Sequence, residues 1–120
     1  FGLMDMGAEV AVRKATMKSL AEATADYYKV NYTDLLGDGR RPYITKPRHV
    51  FFFVANKKVG HNLSEIGRFS DKNHSTILYA VRKIKHRVPR TVSDEIVSKA
   101  RELDARKRMK YLELAKEVGE

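Results

Sequence analysis

Cysteine is absent from this 120-residue chain, and its absence excludes disulfide bonds and thiolate metal sites. The lack of cysteine also fits a reducing compartment. No apolar run reaches the roughly 18 residues that a membrane-spanning helix needs. The opening residues 1–12 are acidic where a secretory signal peptide would be basic. We therefore expect a cytoplasmic protein that has neither a membrane span nor a signal peptide.

Arrangements that carry out catalysis or hold a cofactor are lacking as well. The sequence suggests no combination of nucleophile, base and acid. The four histidines, at positions 49, 61, 74 and 86, do not have the spacing of metal ligands on one helix. We predict that the chain is not an enzyme and uses neither a metal ion nor a cofactor.

Acidic residues are scarce in the middle of the chain. The net charge is +9 overall, and residues 40–90 contribute +11, because thirteen basic side chains there face only Glu65 and Asp71. The segments before and after contribute −2 and zero. A polyanionic partner relieves the repulsion within such a segment and releases counterions. The charge favours a nucleic acid, and hence the nucleoid, over a membrane surface or a merely solvated basic surface.

Helical periodicity runs through the chain, and no segment shows the convincing alternation of a β-strand. The pattern predicts, in order, a helix over 8–30, a helical turn over 33–36 capped by Thr33 or Asn31, a break at 37–39, a basic loop over 40–46, and a helix that starts at Pro47, reaches Val59 and ends at Gly60. Residues 50–55 are apolar on every side of that last helix, which places them in the core.

Two short helices joined by a tight turn come next. Asn62 and Glu65 have the spacing of a capping box at the start of the first helix, which we predict over 63–69. Asn73 is the expected N-cap of the second helix, which Pro89 stops. The stripe of the second helix that faces the core consists of Ile77, Val81, Ile84 and Val88. Such a pair is typical of a helix-turn-helix.

A long amphipathic helix closes the sequence. Residues 91–94 have the pattern of a capping signal, and the helix that they open is predicted to extend to about Val118. Its apolar stripe, interrupted at Lys107, either folds back on the core or pairs with a second copy in a homodimer. The basic residues 106–110 either contact phosphates or form a solvated face. We therefore expect an all-α fold, with a helix-turn-helix domain in residues 1–90 and the amphipathic helix in 91–120.

The start of the helix after Asn73 is the main candidate for function. A recognition helix enters the DNA major groove with its N-terminal residues leading, so the side chains there must be short and able to form hydrogen bonds. Asn73, His74, Ser75 and Thr76 meet this demand, since asparagine can pair with adenine and a threonine methyl can pack on a thymine methyl. These residues are also a good N-cap sequence, and the basic flanks decide in favour of base reading.

Six short motifs between Leu20 and Arg87 occur in a fixed order. They are Ala25-Asp-Tyr-Tyr-Lys-Val30, Asp34-Leu-Leu36, Lys46-Pro-Arg48, Leu63-Ser-Glu-Ile-Gly67, Asn73-His-Ser-Thr-Ile-Leu-Tyr-Ala80 and Arg82-Lys-Ile84. In this order and spacing they resemble the C-terminal DNA-binding domain of the bacterial replication initiator DnaA, whose signature is Asp-His-(Ser/Thr)-Thr-Val-Leu-His-Ala.

The resemblance implies a set of DNA contacts. Arg40, followed by Arg41, holds the position of an arginine that inserts into the minor groove, and arginine suits a narrow, negative minor groove. Arg48 and His49 replace the family's Arg-Gln pair near backbone and base edges, and Ser64 lies where the short helix meets phosphate. The implied base-reading residues are His74, Ser75 and Thr76, joined by Asn73. The phosphate contacts that we predict are Lys46, Arg48, Lys58, Lys72 and Arg82.

The sequence also departs from the family pattern. Asn73 replaces the signature aspartate, His49 replaces a glutamine, and the turn over 68–72 is one residue shorter. These changes leave the target sequence open. The phosphate-binding loop Gly-x-x-x-x-Gly-Lys-(Ser/Thr) of the family's ATPase module is absent. We expect a stand-alone regulator of transcription or replication; the alternatives are an excised domain of a full initiator and a basic RNA- or membrane-surface-binding protein.

Overall fold

The computed structural model describes residues 14–119, and in this part of the chain every regular element is helical. The elements are α1 (Met17–Tyr28), α2 (Tyr32–Leu35), α3 (Pro42–Phe53), a π-helical segment (Val54–Val59), α4 (Leu63–Ser70), α5 (His74–Ile84) and α6 (Arg90–Gly119). The expected all-α fold with a helix-turn-helix and a long last helix is confirmed. No helix within residues 14–119 is long and apolar enough to cross a membrane.

Helix α1 is shorter than the sequence pattern predicts. It begins at Met17 because the Thr16 hydroxyl accepts a hydrogen bond from the backbone N–H of Ser19 and caps the first turn. It ends at Tyr28 because Lys29 adopts a left-handed conformation (φ 57°), and the Lys29 backbone N–H donates to the carbonyls of Ala25 and Asp26. The predicted start at Ala8 lies outside the described residues, and the predicted end at Val30 was two residues too late.

Helix α3 starts five residues earlier than predicted, at Pro42 and not at Pro47. Pro42 occupies the first turn, where its missing N–H leaves no intrahelical bond unmade. Pro47 lies inside the helix and is buried. A proline at this position lacks the N–H that would bond the Tyr43 carbonyl four residues back, so one intrahelical hydrogen bond is missing. Of the predicted basic loop over 40–46, only residues 40 and 41 therefore precede α3.

The core is built around the centre of α3, as the apolar pattern predicts. Residues 50–55 are all buried, and Phe51 and Phe52 are among the largest side chains with almost no exposure. Leu20 from α1, Ile66 from α4 and Ile96 from α6 belong to the same cluster. The helix passes into the π-helical segment and ends at Gly60, whose φ of 99° is a conformation that glycine adopts without strain.

Local hydrogen bonds define the start of α4, the turn between α4 and α5, and the start of α5. The predicted capping box is present, since Asn62 and Glu65 bond each other's backbone N–H groups at 2.8 and 3.0 Å. The backbone N–H of Lys72 donates to the carbonyl of Gly67 at 2.8 Å. Asn73 caps α5 as predicted. A Cβ atom on Gly67 would lie 2.6 Å from the Lys72 carbonyl oxygen, so the turn requires glycine there.

The predicted core stripe of α5 is confirmed. Ile77, Val81 and Ile84 are buried, and Val88, which follows the helix, packs against the core. The helix ends at Ile84, well before Pro89.

Helix α6 packs its first half on α1 and belongs to the common core through Ile96 and Ala100. It begins at Arg90, so residues 91–94 lie inside its first turns and do not precede it as a cap. Two ion pairs tie the helices together, Lys99 with Asp26 at 3.2 Å and Lys107 with Glu22 at 2.7 Å.

Asp104 of α6 organises the start of α1. Its carboxylate accepts hydrogen bonds from the Thr16 backbone N–H, the Thr16 hydroxyl and the Ser19 hydroxyl, at 3.0, 2.8 and 2.6 Å. Burial alone would raise the pKa of Asp104, but these donors and the charge of Lys107 outweigh it and hold the pKa below its ordinary value. The ionised form therefore stabilises the fold.

We expect Asp104→Asn to lower the free energy of unfolding by about 1–3 kcal/mol at neutral pH, because the amide brings donors to a site made of donors. The folded pKa is depressed, so the stabilisation is complete above the unfolded value of about 3.9 and is lost as the pH falls through the lower folded value. Urea denaturation from pH 7 down to pH 3 measures it. Asp94→Asn, at an exposed position of the same helix, is the control. Equal losses in the two variants at pH 7 would contradict the prediction.

We expect Gly67→Ala to destabilise the protein by about 1–3 kcal/mol, because the added methyl group meets backbone and not a movable side chain. Thermal unfolding monitored by circular dichroism measures the change. Gly39→Ala is the matched control, since a Cβ at that position meets only the Ile44 side chain at 3.7 Å. An unchanged melting temperature for Gly67→Ala would show that the turn has room to relax.

Candidate nucleic-acid interface

The N-terminus of α5 presents its polar side chains to solvent. His74, Ser75 and Thr76 are exposed in the first turn of the helix. The carboxamide oxygen of Asn73 accepts hydrogen bonds from the Ser75 N–H and the Ser75 hydroxyl, both at 2.9 Å. Both lone pairs of that oxygen are therefore engaged, and the amide group is left as a donor. The pairing of Asn73 with adenine through two hydrogen bonds stays a prediction, and it would require this oxygen to exchange a bond to Ser75 for one to the base.

Two shallow grooves meet at this helix start, and a third continues from them toward the end of α5. The first lies between α4 and α5, and its lining residues are Ser64, Gly67, Arg68, Asp71, Lys72, Asn73 and His74. The second lies between the loop ahead of α3 and the start of α5, and its lining residues are Asp38, Gly39, Arg40, Thr45, Arg48, Lys72, Asn73 and Thr76. The third follows α3 and α5, and its lining residues are Pro42, Thr45, Lys46, His49, Lys83, Ile84 and Arg87.

These grooves share residues and so form one continuous surface, which we call the basic face. Lys72 and Asn73 line both the first and the second groove, and Thr45 lines both the second and the third. The predicted minor-groove arginine, Arg40, thus lies on the same groove as Thr76 of the predicted recognition helix. Arg40 and Thr76 are more than thirty positions apart in the sequence. The packing of α3 on α5 brings them together.

Arg48 does not lie on the basic face as a free cation, contrary to the prediction of a phosphate contact. Only 6% of its surface is exposed. Its guanidinium donates to the carbonyls of Leu35, Gly39 and Asp34 at 2.7, 2.8 and 2.9 Å. Burial lowers the pKa of Arg48 from its usual value. A buried guanidinium needs such partners, and its role here is to hold the loop that carries Arg40.

Lys72 is the second cation that the structure places in a different setting. Its ammonium group contacts the Asp38 carboxylate at 3.0 Å, and its side chain is only 13% exposed, whereas that of Asp38 is 99% exposed. The hydrogen bond and the charge of Lys72 lower the pKa of Asp38. The pair joins the loop ahead of α3 to the turn of the helix-turn-helix, so a phosphate contact by Lys72 must compete with Asp38.

His49 lies at the wall of the third groove and is half-buried. Its ring stacks on Phe52 with 6.5 Å between the ring centroids. Burial, together with the charges of Lys83 and Arg48, lowers the pKa of His49. The imidazole is therefore neutral at pH 7 and offers one donor and one acceptor.

The remaining predicted contacts divide between the basic face and other parts of the surface. Arg40, Lys46 and Ser64 are exposed and line its grooves. Arg41 and Arg82 are exposed and are sequence neighbours of the groove residues Arg40 and Lys83, but they line none of the three grooves themselves. Lys58 lies on the π-helical segment with its ammonium group 5.9 Å from the Phe53 ring centroid, and it lines none of them either.

Among the basic-face residues that the sequence did not single out, four have side chains that can donate a hydrogen bond to DNA: Thr45, Arg68, Lys83 and Arg87. Lys83 and Arg87 follow Thr76 by seven and eleven positions, which is the spacing of one helix face, so this signal was available. Thr45 and Arg68 give no such signal, because their positions depend on how α3 and α4 pack. Among the residues that the structure describes, no group of three acidic or histidine side chains could hold a metal ion.

Comparisons with known proteins agree with this geometry. Residues 17–84 match the family described as the bacterial dnaA protein helix-turn-helix. The chromosomal replication initiator protein DnaA of Jannaschia sp. is 35% identical over 74 residues, which is 61% of this chain and 16% of that protein. The protein of the same name from Buchnera aphidicola is 38% identical over 74 residues, with the same coverage. That of Magnetococcus marinus is 33% identical over 89 residues, 72% of this chain and 20% of that protein.

The chain thus spans only a fifth or less of the length of these relatives. The matched residues, 17–84, run from the start of α1 to the end of α5 and contain the helix-turn-helix and all three grooves except Arg87. The family match covers more than half of the chain, and with the relatives' identity it shows that the chain belongs to the bacterial DnaA helix-turn-helix family of DNA-binding domains.

Proposed function

We propose that the protein binds double-stranded DNA sequence-specifically with the start of α5 in the major groove, as a stand-alone regulator of transcription or replication at initiator-box-like sites. The observation that carries the proposal is the exposed turn of His74, Ser75 and Thr76 at the junction of cationic grooves. The dipole of a helix N-terminus favours nearby phosphates. We assign these three side chains to base edges, with the Asn73 amide as an additional donor.

Arg40 and Arg41 are the proposed minor-groove contacts. Two anchors just before these arginines hold their loop, namely the Arg48 bond to the Gly39 carbonyl and the Asp38–Lys72 pair. Because the loop is tied to the same body that carries α5, the distance between minor-groove and major-groove contacts is set by the fold. This pre-organisation lowers the entropy lost on binding.

Phosphate contacts are assigned to the exposed cations around the recognition helix. On the basic face these are Lys46, Arg68, Lys83 and Arg87, with Arg82 on the outward side of α5. Contacts of this kind supply affinity without sequence preference and make binding depend on salt. Lys58 lies apart from them, and we keep it only as a contact to flanking DNA.

These 120 residues contain no phosphate-binding loop of the form Gly-x-x-x-x-Gly-Lys-(Ser/Thr), so the proposal assigns to them DNA binding alone, as part of a regulator that works without catalysis and without a cofactor. The alternative is that the chain is the excised DNA-binding domain of a full initiator, which the much greater length of the relatives favours. The complete gene separates the two, because an upstream Gly-x-x-x-x-Gly-Lys-(Ser/Thr) motif would identify an initiator. Either role places the protein on the nucleoid.

The experiment that tests sequence-specific binding is a selection from a pool of random duplexes, followed by competition. We expect one preferred duplex to be recovered and to stay bound in the presence of excess tRNA or anionic vesicles. Displacement by either competitor would instead favour an RNA- or membrane-surface-binding protein.

We expect His74→Ala to weaken binding to the selected duplex by about 1–3 kcal/mol and to leave random duplex almost unaffected, because a base contact is lost. Lys46→Ala is the matched control, since loss of a phosphate contact weakens both duplexes alike and reduces the salt slope by about one unit. Fluorescence anisotropy at several salt concentrations measures both. The base-reading role of His74 is refuted if its replacement weakens both duplexes equally.

We expect Asp38→Asn to tighten binding to random duplex more than to the selected duplex and to increase the salt slope by about one unit, because Lys72 becomes free for a phosphate. Asp71→Asn removes an equal charge from the neighbouring groove without releasing a lysine. The same salt slope in both variants would mean that only the general field has changed.

A further inference from the structure

The second half of α6 carries an apolar stripe that continues the buried side of its first half. Along the helix the stripe runs through Ile96, Ala100, Leu103, Lys107, Tyr111, Leu114 and Val118, at the helical spacings of three or four residues. Up to Leu103 these side chains pack against the core, whereas Tyr111, Leu114 and Val118 are 72%, 52% and 85% exposed. The same face of one helix is thus covered at one end and bare at the other.

The packing of other helices on this face of α6 ends at the N-terminus of α1. Asp104 bonds the N-terminal cap of α1 at Thr16, and Lys107 reaches Ser19 and Glu22. Beyond that point nothing in residues 14–119 packs on the stripe. A contiguous group of exposed large apolar side chains is uncommon on a monomer and is typical of an interaction surface.

We propose that this surface, residues 108–118, pairs with the same segment of a second copy in an antiparallel arrangement. The charge pattern favours this occupant and this direction. The segment begins within a basic group, Arg106 to Lys110, and its second half carries Glu113 and Glu117 with Lys116 between them, so that positive charge gathers at one end and a smaller negative charge at the other. A parallel pair would bring the two basic groups together, whereas an antiparallel pair sets each basic group beside the acidic end of the other copy. The inference deepens the proposed DNA binding, because two copies would carry two basic faces.

The stripe also defines the register. With Leu114 of both copies on the two-fold axis, Tyr111 packs against Val118 of the second copy. Lys110 and Glu117 are seven positions apart and therefore share one flank of the helix. In this register Lys110 of each copy lies beside Glu117 of the other. The contact is isologous, as in most homodimers, and it closes without further growth.

The dimer that such a short helix forms is weak in isolation. The contact area falls below the roughly 1,200 Å² of specific stable interfaces. Binding of both copies to one duplex would strengthen it by the high effective concentration of linked sites. We therefore expect association at high protein concentration in solution, and a preference for two sites at a fixed spacing on DNA.

Sedimentation equilibrium of the full chain, from about 1 to 500 µM, tests the proposal over the range expected of a small interface. We expect the average mass to rise from 13.8 kDa toward twice that value. Leu114→Glu should keep the protein monomeric, because the new carboxylates of the two copies would face each other on the two-fold axis, close to Glu117 of each copy. Met109→Glu is the matched control, since Met109 is 60% exposed on the opposite side of the same segment, and this variant should associate like the parent.

A charge exchange tests the direction of pairing. Lys110→Glu and Glu117→Lys should each weaken association at least five-fold, and the double variant should restore it, because the exchanged pair lies between copies. Circular dichroism verifies that each variant remains helical. A monomer at all concentrations would overturn the proposal, and so would unchanged association of Leu114→Glu or failure of the double variant to recover. Anisotropy with a single-site duplex keeps the outcomes distinct, because proposed DNA binding survives intact in a protein that does not dimerise.

Discussion

The buried guanidinium of Arg48 is the interaction on which the DNA-binding arrangement depends. Its guanidinium donates hydrogen bonds to three backbone carbonyls, at the end of α2 and in the loop that follows. One side chain from α3 thereby fixes the loop that presents Arg40. A lysine could not replace it, because three donors in a fixed planar fork are needed to reach three separate carbonyls.

The two halves of the proposed interface are joined by this arginine and by the Gly67 contact. Arg48 fixes the arginine loop to α3, and α3 packs directly on α5. Gly67 lets the chain between α4 and α5 turn tightly enough for the start of α5 to lie beside that loop. The Asp38–Lys72 pair then spans the remaining gap. An exposed ion pair adds little stability, so its importance lies in where it holds a cation.

The sequence predicted those features that depend on local rules. The helix caps at Asn62 and Asn73, the core run over 50–55 and the stripe of α5 follow from spacing and residue type, and the structure has them all. For the cap of α2 the sequence left Thr33 and Asn31 open, and the structure has Asn31. Features that depend on tertiary packing were not predictable in the same way. Pro47 was read as a helix start because local rules place proline there, but Pro42 satisfies the same rule earlier.

Arg48 shows most clearly why site residues were harder to predict than elements. Within a strongly basic segment every arginine has the composition of a phosphate contact, and the resemblance to a DNA-binding family supported that assignment. Whether a guanidinium faces solvent or backbone carbonyls is decided by how α2 and α3 meet, which no short motif encodes. Lys72 and Asn73 are further examples. The Lys72 ammonium group bonds the Asp38 carboxylate, and the Asn73 carboxamide oxygen accepts bonds from Ser75, although the sequence predicts DNA contacts for both side chains.

Segregation of charge gives the fold its orientation toward a polyanion. The acidic side chains Glu22 and Asp26 of α1 form ion pairs with cations of α6, and Asp104 is buried among hydroxyl and amide donors. These carboxylates therefore belong to the α1–α6 side. The basic face retains many cations and only Asp38 and Asp71. The field of the basic face attracts phosphate, and the pairing of Glu22 and Asp26 with cations of α6 leaves few carboxylates to weaken that field.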